Sequence, residues 1–150
     1  MNQTLLANEL IGDEDVRLFP YDDATGKPFK QGDTLKGKLT VGCGRNLTDV
    51  GITREESMVL MATNIAGTVR DLDRNLPWWR QMNDARQNVL ANMCFNMGIN
   101  KLLTFKNTLA MMQAGRYDAA AAGMLDSLWA NQVHDRAKRL AARMRTGEFA

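Results

Sequence analysis

The chain changes character once. Between residues 18 and 48 it carries Gly26, Gly32, Gly37, Gly42 and Gly44, with Pro20 and Pro28, and only short apolar pieces such as Leu39-Thr40-Val41 lie between them. That punctuation excludes a long helix. It predicts a small antiparallel sheet with turns at Thr25-Gly26 and near Gln31-Gly32-Asp33. From Thr53 the pattern is helical almost to the end. Thr53-Arg54-Glu55-Glu56 fits a capping box, in which the threonine hydroxyl and the glutamate each satisfy an unpaired backbone donor. Apolar residues then recur at Met58, Met61, Ala62, Ile65, Val69, Leu72 and Leu76, one face of a long helix that Pro77 ends. Asp84 is expected to cap a second helix reaching Met97. Ala85, Val89, Leu90, Met93, Cys94 and Met97 make it apolar around much of its circumference, so it reads as the central buried helix. Gly98 closes it, and shorter helices are expected over 105–114, 117–125, 127–132 and 135–144. Before the glycine-rich stretch, Leu5, Leu6, Leu10 and Ile11 predict a short first helix over 3–11, stopped by Gly12.

This order of elements is that of an α+β protein, mostly α. A small N-terminal sheet lobe (13–52) and a larger helical C-terminal lobe (77–150) are joined by a long helix (54–76), with a cleft between the lobes as the natural place for a site. The first helix is expected to pack on the C-terminal lobe. At 150 residues the whole chain is expected to be a single domain.

Charge narrows the function classes. Nineteen Lys and Arg face seventeen Asp and Glu, and a net charge of +2 is too thin for a dedicated nucleic-acid binder. The balance hides an asymmetry. Residues 1–25 are acidic, through Glu9, Asp13, Glu14, Asp15, Asp22 and Asp23, whereas residues 131–150 are basic, through Arg136, Lys138, Arg139, Arg143 and Arg145. No run of residues is apolar enough for a membrane span, and the first residues lack the basic and apolar regions of a signal peptide. Cys43, Cys94 and the single His134 have no spacing that holds a metal. They read as two free thiols and a lone imidazole, and no metal or other cofactor is expected.

Chemistry concentrates in the acidic segment. Glu14 stands just past the first helix and Asp23 lies in the presumed sheet. Two carboxylates in different environments are the minimum equipment for glycosidic hydrolysis: a protonated one to give a proton to the leaving oxygen, an ionised one to activate water or stabilise charge at the sugar. The alternative for both is a solvated carboxylate on the surface with no part in chemistry. Thr40, entering the Gly42-Cys43-Gly44 turn, reads as a β-branched strand residue or as a hydroxyl that positions water. Arg136 could pair with Glu14 if the last helix returns across the first. Asn92 and Asn96, four positions apart on one helix face, offer amides either to a sugar or to the core, and Trp78, Trp79 and Trp129 serve core or cleft.

Taken together, these pieces form a familiar series. Asp13-Glu14-Asp15-Val16-Arg17-Leu18, Tyr21-Asp22-Asp23, Leu39-Thr40-Val41-Gly42-Cys43-Gly44, Asn92-Met93-Cys94-Phe95-Asn96-Met97-Gly98, Arg136-Ala137-Lys138-Arg139 and Arg145-Thr146-Gly147 occur in order over residues 13–147. In that order they resemble the phage-type lysozymes, the muramidases of tailed bacteriophages classed as glycoside hydrolase family 24. The resemblance implies a lysozyme-like two-lobe fold and hydrolysis, with inversion, of the β-1,4 bond between N-acetylmuramic acid and N-acetylglucosamine in peptidoglycan. It implies Glu14 as general acid, Asp23 as the carboxylate that places water or stabilises the transition state, Thr40 as holder of the attacking water and Arg136 as the partner that orients Glu14. Asn92, Phe95 and Asn96 would face substrate.

Three features depart from the family pattern. Arg45 stands where many members carry histidine, the segment from Asp23 to Thr40 is longer than in the shortest members, and Asp15 replaces a glycine. A lytic transglycosylase or a non-catalytic wall-binding module are the competing readings. The implied partner is peptidoglycan, with no nucleic acid and no membrane insertion, and the implied state is a monomer. The expected life cycle is that of an endolysin held in the host cytoplasm until a holin opens the membrane.

Overall fold

A computed structural model describes residues 1–149. The order of elements is α1 (Gln3–Glu14), β1 (Arg17–Asp22), β2 (Leu39–Gly42), β3 (Arg45–Asn46), α2 (Arg54–Asn75), a 3-10 turn (Pro77–Gln81), α3 (Asp84–Met97), α4 (Ile99–Leu102), α5 (Lys106–Gln113), α6 (Tyr117–Leu125), α7 (Leu128–Val133) and α8 (Asp135–Thr146). This is the α+β, mostly helical arrangement that the pattern predicts. The chain divides into two compact units, one ending at Met58 and the other beginning at Val59.

In the first unit, β1, β2 and β3 form an antiparallel sheet in that order. Tyr21 pairs with Thr40 and Asp22 with Leu39, while a bulge interrupts the ladder between Arg17 and Tyr21. Pro20 lies within that irregular stretch, where the missing N–H of proline costs no ladder bond. The helix α1 runs past Gly12 to Glu14, three residues beyond the expected stop at Ile11. Gly12 has nothing within reach of an added side chain and a φ outside the left-handed region, so nothing local forces the helix to end there. Asn2 caps α1, accepting the Leu5 N–H at 3.1 Å. The capping box at Thr53 forms as expected: Thr53 Oγ1 accepts the Glu56 N–H at 3.1 Å, and Glu56 accepts the Thr53 N–H at 2.7 Å. Glu56 also pairs with Arg45, whose Nε donates to the Gly51 carbonyl.

The second unit carries the core. Leu72, Leu76, Val89, Leu90, Met93, Leu102, Met112, Met124, Trp129, Leu140 and Met144 are buried in one cluster. The helix α3 supplies Ala85, Val89, Leu90, Met93 and Cys94, as expected of the central helix. Its cap is Asn83 rather than Asp84: the Asn83 side chain accepts the Arg86 N–H at 3.1 Å. Either residue type can cap, and the one with extended backbone takes the role. The helix α2 ends at Asn75, two residues before Pro77, which opens the 3-10 turn. Only Leu72 is buried within α2, while Met58, Met61 and Ile65 on the expected apolar face stay exposed. The N-terminal turn of α3 also fastens the end of α8. Arg86 donates to the carbonyls of Met144 and Arg145 at 2.9 and 3.1 Å, and Asn83 donates to that of Gly147 at 2.9 Å. These bonds satisfy carbonyls that a helix end leaves without partners.

Both cysteines are free, Cys43 exposed and Cys94 buried, and burial pushes the Cys94 thiol pKa up, with Asp71 adding to the shift.

Candidate active site

Glu14, Asp23 and Thr40 all belong to the first unit. Glu14 is the last residue of α1 and is exposed. The chain then turns at Asp15 with φ 59° and ψ 157°, a backbone region that glycine occupies readily and other residues rarely do. Asp15 stands where the resembled family carries glycine, and its Oδ1 accepts the Val16 N–H at 2.7 Å, a local bond that helps hold the turn. Gly44, in the turn between β2 and β3, also has positive φ. A Cβ there would lie 3.4 Å from Glu14 Oε2, so the glycine turn runs directly beside the Glu14 carboxylate.

Thr40 is buried in the middle strand, and its Oγ1 donates to the Lys38 carbonyl at 3.2 Å. The donated proton is thereby engaged, leaving the oxygen as an acceptor. Asp23 is exposed. Its backbone N–H donates to the same Lys38 carbonyl at 3.0 Å, and its Oδ1 accepts the Lys38 N–H at 2.6 Å. Asp23 and Thr40 are therefore referenced to one peptide segment despite the long excursion of chain between them.

That excursion is closed by a residue to which the sequence pattern assigned no role. Asp22 is 5% exposed, and its carboxylate accepts three backbone N–H groups: Lys36 at 2.7 Å, Gly37 at 2.9 Å and Ala24 at 3.0 Å. The bond from Lys36 foremost, then those from Ala24 and Gly37, holds its pKa below the usual value against the opposing effect of desolvation. The available signal was the doubled Asp22-Asp23 leading into Ala24-Thr25-Gly26, since aspartate at the head of a turn commonly bonds backbone N–H groups ahead of it.

The residues of the second unit divide. Asn92 and Phe95, both exposed, line a cavity of about 360 Å³ together with Asn88, Ile65, Val69 and Arg143. Asn96 is not among its lining. Instead, the Asn96 Oδ1 accepts the indole N–H of buried Trp129 at 2.9 Å, the core-satisfaction alternative for an amide on this helix. Trp79 is likewise buried, and its indole N–H donates to Asp73 at 2.8 Å. Trp78 packs against the core, so all three tryptophans serve packing. Arg136 is exposed in the first turn of α8.

A family model described as phage lysozyme matches residues 14–146. The pre-baseplate central spike protein Gp5 of Enterobacteria phage T4 is 31% identical over 96% of this chain and 28% of its own length. Probable T4-type lysozyme 1 of Dictyostelium discoideum is 28% identical over 64% of this chain and 58% of its own length. The chain thus spans less than two thirds of either relative. The match over residues 14–146 covers the candidate carboxylates, the sheet and every helix from α2 to α8, and the chain belongs to the phage lysozyme family.

Proposed function

We propose that the protein is a muramidase that hydrolyses the β-1,4 bond between N-acetylmuramic acid and N-acetylglucosamine of bacterial peptidoglycan, with inversion. The observation that carries this reading is the shared anchoring of Asp23 and Thr40 on Lys38, in the unit where Glu14 lies against the Gly44 turn. Glu14 gives its proton to the leaving glycosidic oxygen. Water, accepted by Thr40 Oγ1 and deprotonated or oriented by the Asp23 carboxylate, adds to the sugar from the opposite face. Asp23 also stabilises positive charge developing at the ring. The role of orienting Glu14 is proposed for Arg136 on the family match over residues 14–146 alone. Asn92 and Phe95 meet substrate, and Asn96, whose oxygen already accepts one bond from Trp129, adds its amide N–H groups.

Glu14→Gln tests the assignment. It should abolish release of reducing sugar from purified cell wall while the circular dichroism spectrum is unchanged; full activity in that variant would remove Glu14 from the reaction. Mass analysis of the products separates hydrolysis, which adds water, from transglycosylation, which leaves an anhydro sugar.

The proposed biological role is host lysis as an endolysin, with a holin supplying the path to the wall. The family's phage membership supports that role. Cells expressing the protein alone should remain intact until their membrane is permeabilised, and lysis without permeabilisation would oppose holin dependence.

A further inference from the structure

We propose that Asp22 and Gly37 are positioning residues for Asp23, acting as a clamp that closes the 24–36 excursion and fixes the Asp23 carboxylate; this rests on the role given to Asp23 above. The excursion leaves the sheet at Asp23 and returns at Lys38. Its ends meet only if backbone N–H groups on the returning segment find acceptors. Asp22 supplies them, with Oδ2 taking the Lys36 N–H at 2.7 Å and Oδ1 taking those of Gly37 at 2.9 Å and Ala24 at 3.0 Å. One buried side chain therefore ties together the residue after Asp23 and the two residues before Lys38. The next peptide donates directly to Asp23 Oδ1. Displacement of the 36–38 segment would carry that donor away and leave the carboxylate free to rotate.

Gly37 completes the clamp for a different reason. A Cβ at this position would stand 2.2 Å from Asp23 Oδ1, 2.6 Å from Ala24 Cβ and 2.8 Å from the Ala24 nitrogen. The space that a side chain would fill is the space the Asp23 carboxylate occupies. Glycine is required here by close approach, since Gly37 does not have the positive φ of Gly26 or Gly32.

The two residues act on the same Asp23 carboxylate in different ways, one through backbone bonds and one through the space it leaves open. Asp22→Asn replaces one acceptor oxygen with a donor facing backbone N–H groups, and Gly37→Ala leaves the Asp22 bonds chemically available. Each variant should lower kcat on soluble glycan strands by roughly 10- to 100-fold, the usual cost of misplacing a reacting group by about an ångström, with KM unchanged. The double variant should lose little more than the worse single one, because both act through the same carboxylate. All rates are taken well below the melting temperature and corrected for the folded fraction. Should Asp22→Asn fail to fold, Asp22→Glu, which keeps both oxygens, and Gly37→Ala carry the test.

Wild-type kcat in the folded variants, a rise in KM with kcat intact, or full additivity in the double variant would overturn the clamp. Asp23→Asn is measured in parallel. If it retains full activity, the role of Asp23 fails; if it is inactive while the clamp variants keep wild-type kcat, the clamp alone fails.

Discussion

Asp23 and Thr40 converge on one residue: the Lys38 carbonyl accepts both the Asp23 N–H at 3.0 Å and the Thr40 hydroxyl at 3.2 Å. The water-orienting hydroxyl and the ionised carboxylate of the proposed reaction are thereby held to a common reference. Thr40→Val keeps the shape and burial of the side chain but removes the oxygen. Hydrolysis of cell wall should fall by about 100-fold, within the usual range for losing a group that assists proton transfer. Thr40→Ser should retain most of the rate. Turbidity clearing at matched folded concentrations, judged by circular dichroism, checks both.

Asp22 makes acid stability of the sheet unit testable. Its folded pKa is lowered from a reference of 3.8, chiefly by the Lys36 N–H, so its ionised form favours the folded state. That contribution is complete above the unfolded pKa and is lost as pH falls through the folded one. Unfolding of the wild type followed from pH 6 to below about 3 should show a loss of stability over the acid end of that range. Asp22→Asn should be less stable at pH 6 and show a shallower acid decline. An identical pH slope in the two proteins would count against the Asp22 contribution.

Trp129 is almost wholly buried, and its indole N–H depends on Asn96. Asn96→Leu should leave that donor unpaired and cost about 1–3 kcal/mol of unfolding free energy. Trp129→Phe in the Asn96→Leu background removes the orphaned donor and should recover part of the Asn96→Leu penalty attributable to it. Urea titrations of the single and double variants supply the comparison.

Asp15 adopts a backbone conformation that costs a non-glycine residue on the order of 1–3 kcal/mol. Asp15→Gly relieves that strain but loosens the unfolded chain and loses the bond to the Val16 N–H. The net expectation is a gain of about 1 kcal/mol, read as a rise in melting temperature. A fall would show that the Asp15 carboxylate contributes more than its backbone conformation costs.

The helices were legible because their signals are local. The 54–76 periodicity, the Thr53 capping box and the apolar circumference of α3 each depend on residues within a few turns of one another, and the structure returns them within a residue or two. The boundaries that moved did so for equally local reasons: Asn83 rather than Asp84 has the extended backbone of a cap, and Gly12 lies in a helix that nothing interrupts. The 3-10 turn at Pro77–Gln81 and the single-turn α4 escaped the pattern because neither is long enough to show a period.

Residue identity and order along the chain were enough to nominate Glu14, Asp23 and Thr40 and to place them around a small glycine-punctuated sheet. They could not bring Asp23 to Lys38 across the 24–36 excursion, nor bury Asp22 beneath it, because those contacts depend on how the chain closes on itself. The same holds for Asn96, whose oxygen meets the indole N–H of Trp129, on a helix distant in sequence. Short-range propensity and periodicity determine the elements. Which polar atoms are left for chemistry depends on which of them the folded chain has already paired, and only the tertiary structure decides that.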